Sequence, residues 1–384
     1  MNSFGKLVRL SVAGSGKTYW ICHEALRLVR SDSCARILIT TFTNENIDTI
    51  TKELKKQNGG MLPDRITIVS WYRFLLRDWI RPYQSAFPGI GINTIRSFNY
   101  NRNPRMFGFS KADVERYVDS QGDVWKDHAS ELAFEIEKKS GRGSSERIAR
   151  MFRYIFIDEI QDFMGYDINL VESLLARDIG FACVGDEKQS TLQTHYTNKN
   201  KKTTGANIRT WAKRQEAMGR LSVQEESMSR RFNSDICSFA NAVSPGGMVM
   251  TTCMKESTGH DGVFCISRDS VMPYVGKFKP NVLRYNNTIE TMNLPAMNFG
   301  ESKGDTYERV LVFINGPIEK FLTKKTPFSS PAKYYVGVTR PRYSLAFVVD
   351  DLSTIRSEFV ETEIDVGLEM PIVGLKYCPG EDAK

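Results

Sequence analysis

Residues 11–18, Ser11-Val12-Ala13-Gly14-Ser15-Gly16-Lys17-Thr18, restrict the fold more than any other stretch of the chain. They follow a short apolar run at residues 7–10 and precede a helix-like segment at 19–29. A strand, a turn of small residues and a helix start make an anion cradle. Backbone N–H groups and the helix dipole face phosphate oxygens, Lys17 reaches the β- and γ-phosphates, and the Thr18 hydroxyl can ligate Mg2+. Ala13, Gly14, Ser15 and Gly16 supply backbone to that cradle. The common pattern opens on glycine six positions before the lysine, where this chain has Ser11.

A length of 384 residues suggests two domains, with room for a small insertion. The chain is 41% hydrophobic and 25% charged, an ordinary globular balance. No apolar run approaches membrane-spanning length, and Lys6 and Arg9 interrupt the amino-terminal apolar residues, so neither a membrane span nor a signal peptide is expected. The seven Cys are scattered without a Cys-x-x-Cys, which suits reduced thiols and a cytoplasmic setting. Cys253, His260 and Cys265 have no fourth metal ligand nearby. Net charge is +7, and its layout is uneven: Lys188, Lys199, Lys201, Lys202, Arg209, Lys213 and Arg214 stand together without an acid, while residues 350–384 are strongly acidic. Such a basic run suits a solvated face or a nucleic-acid track.

Further on, residues 36–42 read as a β-rich strand, 45–56 as a helix, 65–69 as a strand and 70–77 as a helix start. This is the opening of a parallel α/β sheet. From residue 82 to about 150 the pattern loosens into a mainly helical insertion, with helices expected at 111–120 and 124–139. Its Arg96, Arg102 and Arg105 lie among Phe98, Tyr100, Phe107 and Phe109, a mixture that suits either a single-stranded nucleic acid or an insertion core with a wet loop.

The sheet pattern resumes at Tyr154-Ile155-Phe156-Ile157, followed at once by Asp158-Glu159. A buried parallel strand thus delivers two carboxylates at its C-terminal end, where open α/β sheets place their sites. Asp158 suits hydrated Mg2+ and Glu159 suits polarisation of an attacking water. A strand at 179–184 ends in Gly185-Asp186-Glu187-Lys188-Gln189, where Gln189 can sense the γ-phosphate. Beyond residue 220, strands at 263–266, 281–285, 310–314 and 344–349 predict a second α/β sheet with no phosphate loop of its own. Arg231 and Arg340 are its candidates for stabilising charge on a transferring phosphoryl group.

The ordered set AGSGKT (13–18), TFTN (41–44), SWYRFLLR (70–77), FIDEIQD (156–162), GDEKQS (185–190), SRRFN (229–233), ESKG (301–304) and YVGVTR (335–340) resembles the UvrD/Rep/PcrA-like superfamily 1 DNA helicases. The resemblance implies two RecA-like parallel-sheet domains. Residues 1–81 and 151–215 would form the first, 82–150 a helical insertion, 216–350 the second with a reduced insertion, and 351–384 an acidic tail. It further implies ATP and Mg2+ as cofactors, with Lys17 and Thr18 on phosphate and metal, Asp158 on the metal and Glu159 as base. Gln189, Arg231 and Arg340 would surround the γ-phosphate. Implied partners are single-stranded DNA, tracked 3′ to 5′, and a duplex junction. Phe42, Thr43 and Asn44, the pair Trp71 and Tyr72, and the pair Ser302 and Lys303 match its strand-contacting blocks.

Departures narrow the expectation. Thr191-Leu192-Gln193-Thr194-His195 replaces an aromatic-rich block, with His195 or Tyr196 as substitutes. Arg230 stands where relatives stack a tyrosine on the base, and few residues precede Lys17 to read adenine. The stretch between Arg231 and Glu301 is too short for a full accessory subdomain. The small form resembles the helicase subunit of Gabija-type anti-phage systems, which implies a nuclease or other protein partner; a phage or DNA-repair helicase is the other setting the resemblance allows. An ATP-dependent assembly switch that regulates a partner, with little strand movement, is the alternative.

Overall fold

The computed structural model describes residues 4–101, 103, 108–191 and 199–379. Arg102, Arg105, Phe107, His195 and Tyr196 lie outside the described residues. The chain divides into two compact units. The first comprises Met1–Leu10, Lys17–Glu187 and Leu192–Glu225; the second comprises Ser11–Gly16, Lys188–Thr191 and Glu226–Lys384. Among the described residues no helix is long and apolar enough to cross a membrane.

In the first unit, β1 (Lys6–Ser11), α1 (Lys17–Ser31), β2 (Ile37–Thr41), α2 (Asn44–Gln57), β3 (Ile66–Ser70) and α3 (Trp71–Phe74) alternate strand and helix. The insertion carries β4 (Phe98–Asn99), β5 (Val124–Trp125), α4 (Ala129–Lys139) and α5 (Gly143–Met151). Then come β6 (Tyr154–Ile157), α6 (Tyr166–Leu175), β7 (Gly180–Gly185), α7 (Ile208–Ala217) and β8 (Ser222–Glu226). The six-stranded sheet runs β3-β2-β6-β7-β1-β8, with parallel pairing from β3 through β1. Every residue of β2, β6 and β7 is buried. Parallel strands covered on both faces require such continuous apolar sequence. Helix α1 buries Ile21, Cys22, Ala25, Leu28 and Val29, a helical-period stripe packed with Ile37, Ile39, Phe156 and Ala182. Thr43 caps α2 by accepting the Asn46 N–H at 3.2 Å.

Buried carboxylates pin the insertion to this unit. Asp167 accepts the Trp71 indole N–H at 2.6 Å and the Ser130 hydroxyl. Glu137 pairs with Arg177 at 3.9 Å, and Asp78 pairs with Arg147 at 3.5 Å. Glu131, 5% exposed, takes the Arg116 guanidinium at 2.8 Å and faces His128. Burial alone raises the Glu131 carboxyl, but hydrogen bonds from His128 and Arg116 and the Arg116 charge outweigh it and hold it at about 2. A carboxyl lowered in the folded state contributes stability above its unfolded value and loses it as pH falls through the folded one. The melting temperature is therefore expected to drop between about pH 4.5 and pH 2, and Glu131→Gln to flatten that acid limb; thermal melts across this range check it. The expected helix at 111–120 is instead a single 3-10 turn, Val114–Arg116, because Gln121-Gly122 turns the chain into β5 and Val118 bridges to Val124.

The second unit continues with β9 (Met228–Ser229), α8 (Ser234–Val243), β10 (Thr251–Thr252), β11 (Gly262–Ser267), α9 (Val271–Phe278), β12 (Asn281–Arg284) and β13 (Ala296–Asn298). It closes with β14 (Tyr307–Phe313), α10 (Gly316–Lys324), α11 (Ala332–Val338), β15 (Pro341–Val349), β16 (Phe359–Ile364) and β17 (Ile372–Tyr377). Its seven-stranded sheet runs β13-β12-β14-β15-β11-β17-β16. Alternation along the strands feeds two cores: Val310, Val312, Leu345 and Phe347 face one, Leu311, Phe313, Ala346 and Val348 the other. Residues 359–364 and 372–377, read in the sequence as part of an acidic tail, form an antiparallel hairpin whose β17 pairs with β11. Phe359 and Tyr377 bury against Phe239, and that apolar anchorage outweighs the acidic composition of the stretch.

Candidate nucleotide site

In the first unit, β2, β6 and β7 point their C-terminal ends the same way, so Thr41, Asp158 and Asp186 emerge along one sheet edge. Asp158 is 3% exposed, and its backbone N–H donates to the Thr40 carbonyl at 2.9 Å. Glu159 follows in the left-handed region, φ 55° and ψ 46°, a conformation that costs a non-glycine residue energy and is characteristic of sites. Its backbone N–H donates to Asp158 Oδ1 at 3.0 Å. Helix α1 starts at Lys17, with Thr18 in its first turn. One turn later the Cys22 thiol is pushed up to about 12 by burial and by the negative charges of Glu53 and Asp158, which removes it as a nucleophile.

In the second unit, the loop 11–16 carries Gly14 at φ +73° and Gly16 at φ +88°. A Cβ on Gly14 would lie 2.5 Å from both Arg231 Cβ and Ser229 Oγ, so glycine is required there twice over. The Arg230 backbone N–H donates to the Gly14 carbonyl at 2.9 Å and its guanidinium to the Ser15 carbonyl at 2.6 Å. The resemblance places Arg230 at a base-stacking position; in the structure its hydrogen bonds tether the loop backbone. Arg231 donates to the Thr339 carbonyl at 3.0 Å. Arg340, 1% exposed, donates to the carbonyls of Val336 at 2.8 Å and Asp305 at 3.0 Å. Gln189 is buried, and its carbonyl accepts the Lys303 ammonium at 3.1 Å. Ser302 is fully buried and donates to the Phe299 carbonyl at 2.9 Å, so its hydroxyl serves the turn.

Among the described residues, three buried hydroxyls, Ser11 Oγ, Ser15 Oγ and Thr40 Oγ1, have no hydrogen-bond partner. Two lie on the loop 11–16, and the third is at the end of β2 next to the Asp158 backbone. In the first unit, the orphaned Thr40 hydroxyl and the Asp158 carboxylate, with Lys17 and Thr18 opening α1, are groups whose chemistry suits phosphate oxygens and hydrated Mg2+.

The candidate strand contacts separate cleanly. Trp71 is fully buried with its indole N–H on Asp167, so it is a core residue rather than a surface platform. Tyr72 and Phe42 remain part-exposed, 5.8 Å apart between ring centroids. The aromatic run continues from Tyr72 to Phe98 at 6.0 Å and from Phe98 to Tyr100 at 6.3 Å. Lys126 places its ammonium 5.1 Å from the Tyr72 ring and 5.9 Å from the Tyr100 ring. Thr43 is occupied as a helix cap, and Asn44 is exposed. Sequence reasoning missed Lys126, which lies far from any motif. It also gave no role to Gln161, although that residue sits inside the block 156–162.

A family model described as an AAA domain matches residues 6–194. Among solved structures, the chain is similar to an arterivirus nonstructural protein 10, described as a helicase in complex with DNA, at 13% identity and a TM-score of 0.45. That match covers 90% of this chain and 61% of the arterivirus chain, so the protein spans about three fifths of its length. A search of curated proteins finds no match. The strand–loop–helix at residues 6–31, the carboxylates closing β6 and the family match together identify a P-loop NTPase domain in this chain.

Proposed function

We propose that the protein is an ATP-driven translocase or helicase of the superfamily 1 type, acting on single-stranded DNA in the 3′ to 5′ direction. The observation that carries the ATPase part is the shared edge of β2 and β6, which sets Asp158 and a left-handed Glu159 beside the buried, partnerless Thr40 hydroxyl. In this reading Lys17 and the loop N–H groups hold the phosphates, Thr18 and Asp158 hold Mg2+, and the metal when bound neutralises phosphate charge. Glu159 accepts the proton of the attacking water. Gln189, Arg231 and Arg340 keep the phosphate-sensing and charge-stabilising roles that the resemblance implies, and two RecA-like domains remain the proposed architecture.

The nucleic-acid part draws on the run Phe42, Tyr72, Phe98 and Tyr100 with the Lys126 ammonium beside it, aromatic and cationic groups of the kind that bind single strands. ATP turnover is expected to rise several-fold with single-stranded DNA, measured beside duplex DNA and RNA. Tyr72→Ala is expected to raise the half-maximal DNA concentration about 5- to 100-fold, the effect of losing one stacked base. No stimulation by any nucleic acid would sink the proposal and favour the switch reading, in which ATP analogues alone change partner binding. A nuclease partner and a role in anti-phage defence rest on the resemblance.

A further inference from the structure

In the block 156–162, Gln161 has no role in the reading above, and the structure shows it fully buried between two strand ends. Its Oε1 accepts the backbone N–H of Asp186, just past β7, at 3.0 Å. Its Nε2 donates to Glu159 Oε2, just past β6. The two bonds fix the amide orientation, since only the oxygen can take the Asp186 N–H and only the nitrogen can serve a carboxylate. The packing around the amide is close: a Cβ on Gly185 would stand 2.5 Å from Gln161 Oε1 and 2.7 Å from Ile160 Cγ2. Glycine at 185 therefore makes room for this amide.

The chemistry gives the clamp a purpose. Glu159 sits on strained backbone at a strand terminus, with a side chain long enough to sample several directions. A base works only if its oxygen meets the water within hydrogen-bond reach, and small misplacements cost large factors in rate. We infer that Gln161 is a positioning residue for Glu159, tying the direction of the base to the Gly185-Asp186 end of β7. The inference rests on Glu159 being the base. A shift of the Asp186 backbone then moves the carboxylate with it.

The test is a double-mutant cycle on ATP turnover. Gln161→Leu is close in size and removes both hydrogen bonds. It is expected to lower kcat about 10- to 100-fold, with KM for ATP and fluorescent-ATP affinity within about twofold of the parent. On a Glu159→Gln background the same change is expected to lower the residual rate less than about twofold, because Gln161 acts through the group already removed. Parental kcat in Gln161→Leu, or an equal further loss on both backgrounds, would overturn the inference. Parental turnover in Glu159→Gln alone would instead overturn the base assignment, and the inference with it. If Gln161→Leu loses its melting transition, Gln161→Glu carries the same cycle, since it keeps an acceptor for the Asp186 N–H and sets a second carboxylate against Glu159.

Discussion

Glu159→Gln is expected to cut ATP turnover at least about 100-fold while nucleotide affinity stays near the parent's, because a positioned general base contributes roughly 10²- to 10⁴-fold. The amide is nearly isosteric, and its oxygen can still accept from Gln161 Nε2, the bond that holds the carboxylate in the parent. What disappears is the capacity to take a proton. Lys17→Ala should fail differently: it removes from the first helical position the cation proposed to hold the phosphates and is expected to weaken binding together with turnover. Steady-state kcat and a separate binding titration distinguish the two. A Glu159→Gln protein that turns over ATP within tenfold of the parent would show that the proton goes elsewhere.

Trp71→Ala is expected to destabilise the fold by about 3–5 kcal/mol, the usual effect of emptying a large aromatic site in a core. The ring is fully buried, 4.7 Å from the Phe163 centroid and 5.7 Å from that of Phe74. Its N–H is one of the donors that satisfy the buried Asp167. Trp71→Phe keeps much of the apolar area and loses that donor, so a smaller cost, about 1–3 kcal/mol, is expected. Urea midpoints measure both. Tyr72→Ala serves as the contrast, with little change in midpoint and a large change in DNA dependence. Equal midpoints for Trp71→Ala and the parent would show that the site refills.

That contrast marks where sequence reading reaches its limit here. The strands β2, β3, β6, β7, β11, β12, β14 and β15 were legible because each carries a short apolar or β-branched run, and Asp158 and Glu159 could be placed at a strand end from their position alone. Trp71 and Tyr72 look equivalent as neighbours, yet successive side chains on a helix point about 100° apart, so only one can face outward. Ser302 shows the same blindness, since a serine in a glycine-bearing turn gives no sign that its hydroxyl bonds the turn itself. The hairpin β16–β17 was hidden by charge. Its acids lie on exposed positions of an edge strand, while Phe359, Ile364 and Tyr377 turn inward. Gln161 was visible as a letter, but its bond to the Asp186 N–H spans a crossover between strands that only the fold brings together.

The antiparallel hairpin also has a consequence for how the molecule is born. Strand β11 has β15 on one side and β17 on the other, and β17 leaves the ribosome roughly a hundred residues after β11. Until then β11 offers the nascent chain an open, apolar border, the kind of surface that pairs with a neighbour's strand on a crowded polysome. Completion of this sheet thus waits until the strands that flank β11 have been synthesised.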